Sequence, residues 1–382
     1  MVKLFRNCNV FTSTGEIIKD GKVFVVKGKV KAIGKDILAP DGTQQVDLGG
    51  GYLLPGLIDA HTHLGMEEEA IGQAGDDLNE STEPITPHLR AIDAINPMDI
   101  AFADALAGGV TMVASGPGSA NVLGGSFVLL KTHGRCVDDM VVKNPVAIKA
   151  ALGENPKRVY KKQNKAPATR MAIAALLRET LIEAKGYSKL RTKTNLSTAT
   201  KMKMEALQPV INKEIPLKVH AHRADDILTA IRIAKEFDID ITLDHCTEGD
   251  QIIEILYRER IPAIVGPALT NRSKNELAAK NFETVAKLHE KGIKVAITTD
   301  HPVVPIQYLT VCAALAAREG LNEVEALRSI TLYPAQILGV DDCVGSIDVD
   351  KDADFAVFDY HPLDFRSKVI ATYIDGEKVY GL

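Results

Sequence analysis

Leu53-Leu54-Pro55-Gly56-Leu57-Ile58-Asp59-Ala60-His61-Thr62-His63 is the stretch that decides the fold. A Pro-Gly turn opens it, an apolar run follows, and the run ends on two histidines separated by one residue. In a strand, residues i and i+2 project to the same side, so both imidazoles enter one space. Two neutral imidazoles converging in this way make a natural metal clamp. A lone His-x-His also occurs by chance on surface strands, so its weight depends on the rest of the chain.

Outward from this run the chain keeps one rhythm. GVTMVAS, PVAIKAAL, IPLKVHAH, DITLDH, IPAIVGP and IKVAITTD read as short buried strands. Amphipathic segments such as PATRMAIAALLRETLIEAK and ADDILTAIRIAKEFD lie between them. Strand and helix in alternation indicate parallel βα units. Residues 54–339 suffice for a (β/α)8 barrel, which typically needs about 250 residues. A doubly wound open sheet competes, but no GxGxxG follows the first strand. The fold class is therefore α/β, a (β/α)8 TIM barrel. Both ends have another texture: VKLFRNCNVFT and EIIKDGKVFVVKGKVKAIG at the start, DKDADFAVFD and KVIATYIDGEKVYGL at the finish. They are rich in Val, Ile and Phe and punctuated by Gly. Residues 1–53 and 340–382 are expected to form one composite β-sandwich domain.

Composition narrows the function classes. The 382 residues are 46% hydrophobic and 25% charged with a net charge of -5, which excludes disordered and fibrous chains and argues against a general nucleic-acid binder. Five scattered cysteines without a CxxC argue against a disulfide framework or a Cys-rich zinc module. Lys3 and Arg6 interrupt the N-terminus before any apolar signal core. A cytoplasmic protein is expected. The uncharged stretch from Ala105 to Leu130 is broken by glycines and a proline and reads as two buried strands around a Gly-rich loop, not a membrane span. Gly65 to Pro97 is long enough to be a lid or binding loop. The basic run KRVYKKQNK, residues 157–165, reads as a solvated face.

Further polar groups close later apolar runs: His220 after IPLKV, His245 after DITLD, and Asp300 after IKVAITT. Barrel enzymes keep their catalytic groups at such C-terminal strand ends. The set as a whole marks an active site.

With PGLIDAHTH, HAH, LDH, TTD and the closing DKDADFAVFD in place, the chain resembles the amidohydrolase superfamily, most nearly the imidazolonepropionase-related members, over nearly its whole length. The resemblance implies a barrel with a terminal β-sandwich and one or two divalent ions hydrolysing a C–N bond. It implies His61, His63, His220, His245 and Asp300 as metal ligands, with Asp300 also shuttling the proton. It further implies that Lys149, in the fourth strand run, is carbamylated and bridges two metals. The alternative is a structural or substrate-binding Lys149 in a one-metal site, with Glu154 as the other strand-4 ligand. Zn2+ is the expected ion, with Fe, Mn or Ni open.

The chain departs from imidazolonepropionase at Arg223, where that enzyme has an acidic residue three positions after the strand-5 histidine. A guanidinium cannot carry a proton at neutral pH but can clamp a carboxylate; pairing with an acid such as Asp226 is the other reading. His222 shares a face with His220 and is expected to line the pocket, and His88 to reach it from the long loop. Asn121–Gly125 could offer backbone amides, although a plain turn is the default reading, and Lys131 and His133 could reach a pocket, with helix or loop surface as their default. Cys246 reads as a buried small side chain. The expected function is metal-dependent hydrolysis of a cyclic amide, a deaminated ring or a dipeptide-like amide, catalysed by Asp300 with His245. A prolidase-like or carboxypeptidase-like dipeptidase and a non-catalytic scaffold are the alternatives. A small-molecule substrate, no nucleic acid, no membrane and homo-oligomeric assembly complete the expectation.

Overall fold

The computed structural model describes residues 2–15, 17–190 and 196–381. The N-terminal strands are β1 (Val2–Val10), β2 (Ile18–Val26), β3 (Lys29–Gly34), β4 (Gln44–Asp47) and β5 (Tyr52–Pro55). Next come β6 (Leu57–Thr62), β7 (Val110–Ser115), β8 (Leu123–Lys131), β9 (Val141–Ala151), β10 (Leu217–Ala221), β11 (Ile241–His245), β12 (Ala263–Val265) and β13 (Val295–Ile297). The chain closes with β14 (Phe355–Phe358), β15 (Val369–Ile374) and β16 (Glu377–Tyr380).

Strands β6 to β13 pair in sequence order into one eight-stranded sheet. Its edges meet through the backbone and side chains beside β6 and β13. His63 N–H donates to His301 O at 2.9 Å and Thr298 Oγ1 to His61 O at 2.6 Å. Asp59 strengthens the seam, accepting from Thr299 N at 2.9 Å and Thr299 Oγ1 at 2.7 Å. The result is the (β/α)8 barrel fold with one local departure. β8 runs antiparallel to both β7 and β9, so strands 2 to 4 form a meander in place of two βα units. Only residues 116–122 separate β7 from β8, whereas a parallel crossover needs a dozen or more. Helices Ile100–Ala107, Ala224–Phe237, Ile253–Glu259 and Glu283–Glu290 pack around the remainder.

Both termini build the second sheet, in the order β16-β15-β14-β5-β1-β2-β3 with β4 also on β1. It is one continuous sheet that curls on itself in sandwich fashion. β1 and β15 are three strands apart, about 14 Å in a flat sheet. Yet the Phe5 ring on β1 lies 4.9 Å from that of Tyr373 on β15, edge-on. Phe5, Val23, Val25, Leu53, Phe355 and Val357 fill the core so enclosed. β5 passes into β6 through Gly56, where a Cβ would lie 2.0 Å from Thr111 Oγ1; only glycine lets the first barrel strand sit so close to the second. Among the described residues no helix is long and apolar enough to cross a membrane.

Candidate metal centre

At the barrel mouth a cavity of about 560 Å³ is lined by His61, His63, Lys149, His220, His222, His245 and Asp300. Strand alternation carries His61 and His63 inward together, their ring centroids 5.4 Å apart. Each ring is set by a partner behind it. His63 Nδ1 lies 2.7 Å from Gly116 O, His245 Nδ1 2.7 Å from Gly266 O, and His61 Nδ1 3.0 Å from Asp244 Oδ2. Where Nδ1 donates to a carbonyl, as in His63 and His245, the other nitrogen is left as a lone pair; His61 Nδ1 faces Asp244 without a hydrogen bond, and its Nε2 faces Asp300 in the cavity.

Asp300 Oδ1 stands 3.3 Å from both His61 Nε2 and His63 Nε2. It is buried, yet its geometry makes no hydrogen bond. Buried polar atoms are rarely left so. Oxygen and nitrogen atoms spaced by about 3–3.5 Å are placed as ligands sharing one ion with bonds of about 2.0–2.2 Å, so the donor set fits a divalent metal. Burial alone would raise the Asp300 pKa, but the neighbouring imidazoles of His245, His61 and His63 outweigh it and hold the carboxyl well below its usual range. Burial pushes His220, His222 and His245 well below the ordinary histidine value, which keeps them neutral, the state a ligand requires. His245, Cys246 and Asp300 hold left-handed backbone angles, φ 72°, 47° and 53°. Such strain in non-glycine residues concentrates at functional sites.

Lys149 is fully buried on β9, its Nζ 3.2 Å from His61 Nε2 and 3.5 Å from Asp244 Oδ2. Burial pushes its pKa down to about 8; Lys218 adds to this, while Asp244 and Asp300 oppose it. Lys218 is its register neighbour on β10 and donates to Asp244 Oδ1 at 2.9 Å. Asp244 thus balances two buried lysines and orients His61.

A second group gathers beside the first. The His220 and His245 centroids are 4.5 Å apart, and His222 stacks on His245 at 4.6 Å. Glu276 Oε1 faces this group, 3.8 Å from His220 Nε2 and 3.9 Å from His222 Nε2, buried and without a hydrogen bond. Its other oxygen accepts from Glu154 N–H at 3.0 Å. Gly153, at φ 85°, makes room, since a Cβ there would lie 3.0 Å from Glu276 Oε2. Sequence reasoning missed Glu276, Asp244 and Lys218. Asp244 and Lys218 stood inside quoted strand runs, whereas Glu276 lies in a short 3-10 turn, Asn275–Leu277, that ends no apolar run.

Several expected residues lie elsewhere. Arg223 is absent from the cavity lining; its guanidinium forms a two-pronged pair with Asp225, 3.0 and 2.9 Å, and Asp226 pairs with Arg170. Helix Ala224–Phe237 starts directly after Arg223 and turns that side chain along its own first turn. His88 is half-buried and also outside the lining; Glu67, Leu78 and Asn79 are the residues the long loop contributes. Asn121 is a structural link, donating to Thr86 Oγ1 and accepting from Tyr160. The reversal of β8 puts Lys131 at the far end of the barrel, among Asp352, Asp354 and Asp375, and leaves His133 exposed. Within the basic run, Tyr160 is buried and Arg158 lines the cavity, so that helix is not wholly a solvated face. Burial raises the Cys246 thiol to about 12, which suits a packing residue.

The sequence profile of the Amidohydrolase family matches residues 52–379. Among solved structures, an amidohydrolase from Thermotoga maritima MSB8 is 45% identical, with a TM-score of 0.95 over 99% of this chain and 100% of that one. Amidohydrolase tasK of Hapsidospora irregularis is 27% identical over 93% of this chain, which spans 39% of that relative's length. An imidazolonepropionase from Polaromonas sp. is 26% identical over 89% of this chain and 83% of its own.

Proposed function

The chain belongs to the amidohydrolase family, whose members hydrolyse carbon–nitrogen bonds, and on that footing we propose that it cleaves a small amide or cyclic amide, or deaminates a ring, at a divalent metal centre in the barrel mouth. His61, His63 and Asp300 would hold one ion. His220 and His245 would hold a second, with Lys149 as a carbamate between the two. Zinc suits this nitrogen-rich set, and iron, manganese and nickel share its ligand preferences. When bound, such ions lower the pKa of a water and polarise the substrate carbonyl.

The rest falls to the side chains. Asp300 is ionised at neutral pH, as a proton acceptor must be, and the carboxylate oxygen not given to the ion takes the proton from the attacking water and returns it to the leaving nitrogen. His245 would keep its ion beside the substrate carbonyl, and His222 forms the adjoining wall. Asp244 and Gly266 hold the rings of His61 and His245 so that little reorganisation accompanies the reaction. A carbamate at Lys149 replaces a cation with an anion, which offsets the repulsion between two nearby divalent ions.

The observation that carries this reading is Asp300 Oδ1, buried, without a hydrogen bond and 3.3 Å from two imidazole nitrogens. The test is a screen of the metal-loaded protein against cyclic amides, deaminase substrates, N-acyl amino acids and dipeptides. Hydrolysis of one class, abolished by chelation and by Asp300→Asn, is the expected result. Activity that survives both treatments would overturn the reading.

A further inference from the structure

The cavity holds two cations whose charge is only partly balanced. Arg158, on helix Glu154–Lys162, and Lys274, in the loop after β12, both donate to the side-chain oxygen of Asn155, at 3.4 Å and 2.8 Å. Among the described residues Arg158 has no carboxylate partner, and Lys274 meets only Glu276, at 3.8 Å. Nearby arginines are treated differently: Arg170 is matched by Asp226 and Arg223 by Asp225. Two like charges on one neutral acceptor repel each other at short range, so a third group bringing negative charge would be stabilised there. A guanidinium fork beside an ammonium suits a carboxylate.

Asn155 also fixes how far this charge lies from the reacting end. It is buried, and its Nδ2 donates to Ser119 Oγ at 2.8 Å and lies 3.5 Å from His220 Nε2. One amide group therefore separates the cation pair from the histidine cluster. An anion held there would sit beside the histidine cluster, where the carboxylate of an amino-acid amide would bring it. A neutral lactam or a nucleobase would leave the cations unmatched.

We infer that Arg158 and Lys274 bind the carboxylate of the substrate, which is an N-acylated α-amino acid or a dipeptide; the inference rests on the hydrolytic reading above. Arg223, the cation the sequence singles out for this task, is already neutralised.

The test pairs each of a panel of N-acetyl amino acids with its C-terminal amide, a change that removes only the anion. Binding to the metal-loaded protein is followed by saturation-transfer NMR and turnover by amine release. The acids should bind about tenfold or more tightly than the amides, since a charge-assisted pair supplies that much. Arg158→Gln, at an exposed position, should remove most of the preference, and Lys274→Met the remainder, with melting temperature and metal content confirming that both variants fold. Acids that bind preferentially, lose that preference in both variants, yet are never cleaved would leave Arg158 and Lys274 as a carboxylate-binding site and refute hydrolysis of these acids. Acids and amides cleaved with equal KM would refute the inference and leave the hydrolytic reading standing. A preference that persists in both variants, or acids that do not bind at all, would also overturn it.

Discussion

The histidines and Asp300 were legible because each ends an apolar run, and a polar group at the end of a buried strand has only the barrel mouth to occupy. Alternation misleads at one point, since it puts Asp244 and His245 on opposite faces. The left-handed turn at His245 swings the imidazole into the mouth while Asp244 stays inside the barrel. Glu276 depends on a loop path that no periodicity announces. Two expectations belong to this scale. Asp300→Asn should lower kcat by roughly 10²–10⁴, the usual worth of a positioned proton carrier, as steady-state kinetics would measure. For Lys149, the neutral amine predominates above about pH 8 rather than above its ordinary 10.5, and only the neutral amine reacts with carbon dioxide. Metal uptake by apoprotein should therefore need bicarbonate and quicken from pH 7 to 9. Lys149→Ala should lose both dependences, with activity partly restored by short carboxylic acids. Uptake indifferent to bicarbonate would exclude the carbamate.

Among the elements, β8 is where the βα rhythm failed. Its apolar run looks like its neighbours', and direction leaves no mark on hydrophobicity; the clue was the length of residues 116–122, too short for a crossover. Reversal carries Lys131 to the end of the barrel that meets the terminal sheet. There it lies 2.9 Å from Asp352, 3.3 Å from Asp354 and 2.7 Å from Asp375. Burial raises Asp354 to about 6. For a carboxyl raised in this way, its stabilising contribution is fully present below its unfolded value and is lost as pH climbs through about 6, where the buried group ionises. Lys131 offsets that loss. Lys131→Met should thus cost about 1–2 kcal/mol near neutrality through Asp354, which takes up a proton once its cation is gone. The cost should shrink towards pH 5 as Asp354 protonates. Denaturant titrations at the two pH values would show it, and a pH-independent cost would mean that lost packing dominates.

At the scale of the molecule, barrel and terminal sheet are built into each other. Gly56 N–H donates to Asp354 O at 2.8 Å, Thr372 Oγ1 to Leu106 O at 2.7 Å and Arg328 Nε to Ser13 O at 2.8 Å. β5 runs straight into β6, so the strand bearing His61 and His63 is anchored in the terminal sheet. The two-ended origin of that sheet was visible in the matching texture of the termini; its continuity through β5 and β14 was not, because strand pairing across 300 residues leaves no local signal. Sheet and barrel should melt in one cooperative calorimetric transition, and two resolved transitions would show them to be independent. The central claim is that the mouth of this barrel is a metal centre. Elemental analysis of the purified chain by plasma mass spectrometry tests it most directly. Wild-type protein should carry about two divalent transition-metal ions per chain, as a bridged two-metal site requires, and the His61→Ala/His63→Ala variant should carry markedly less. Folded wild-type protein that takes up no metal, or a double variant that retains the full complement, would contradict the claim.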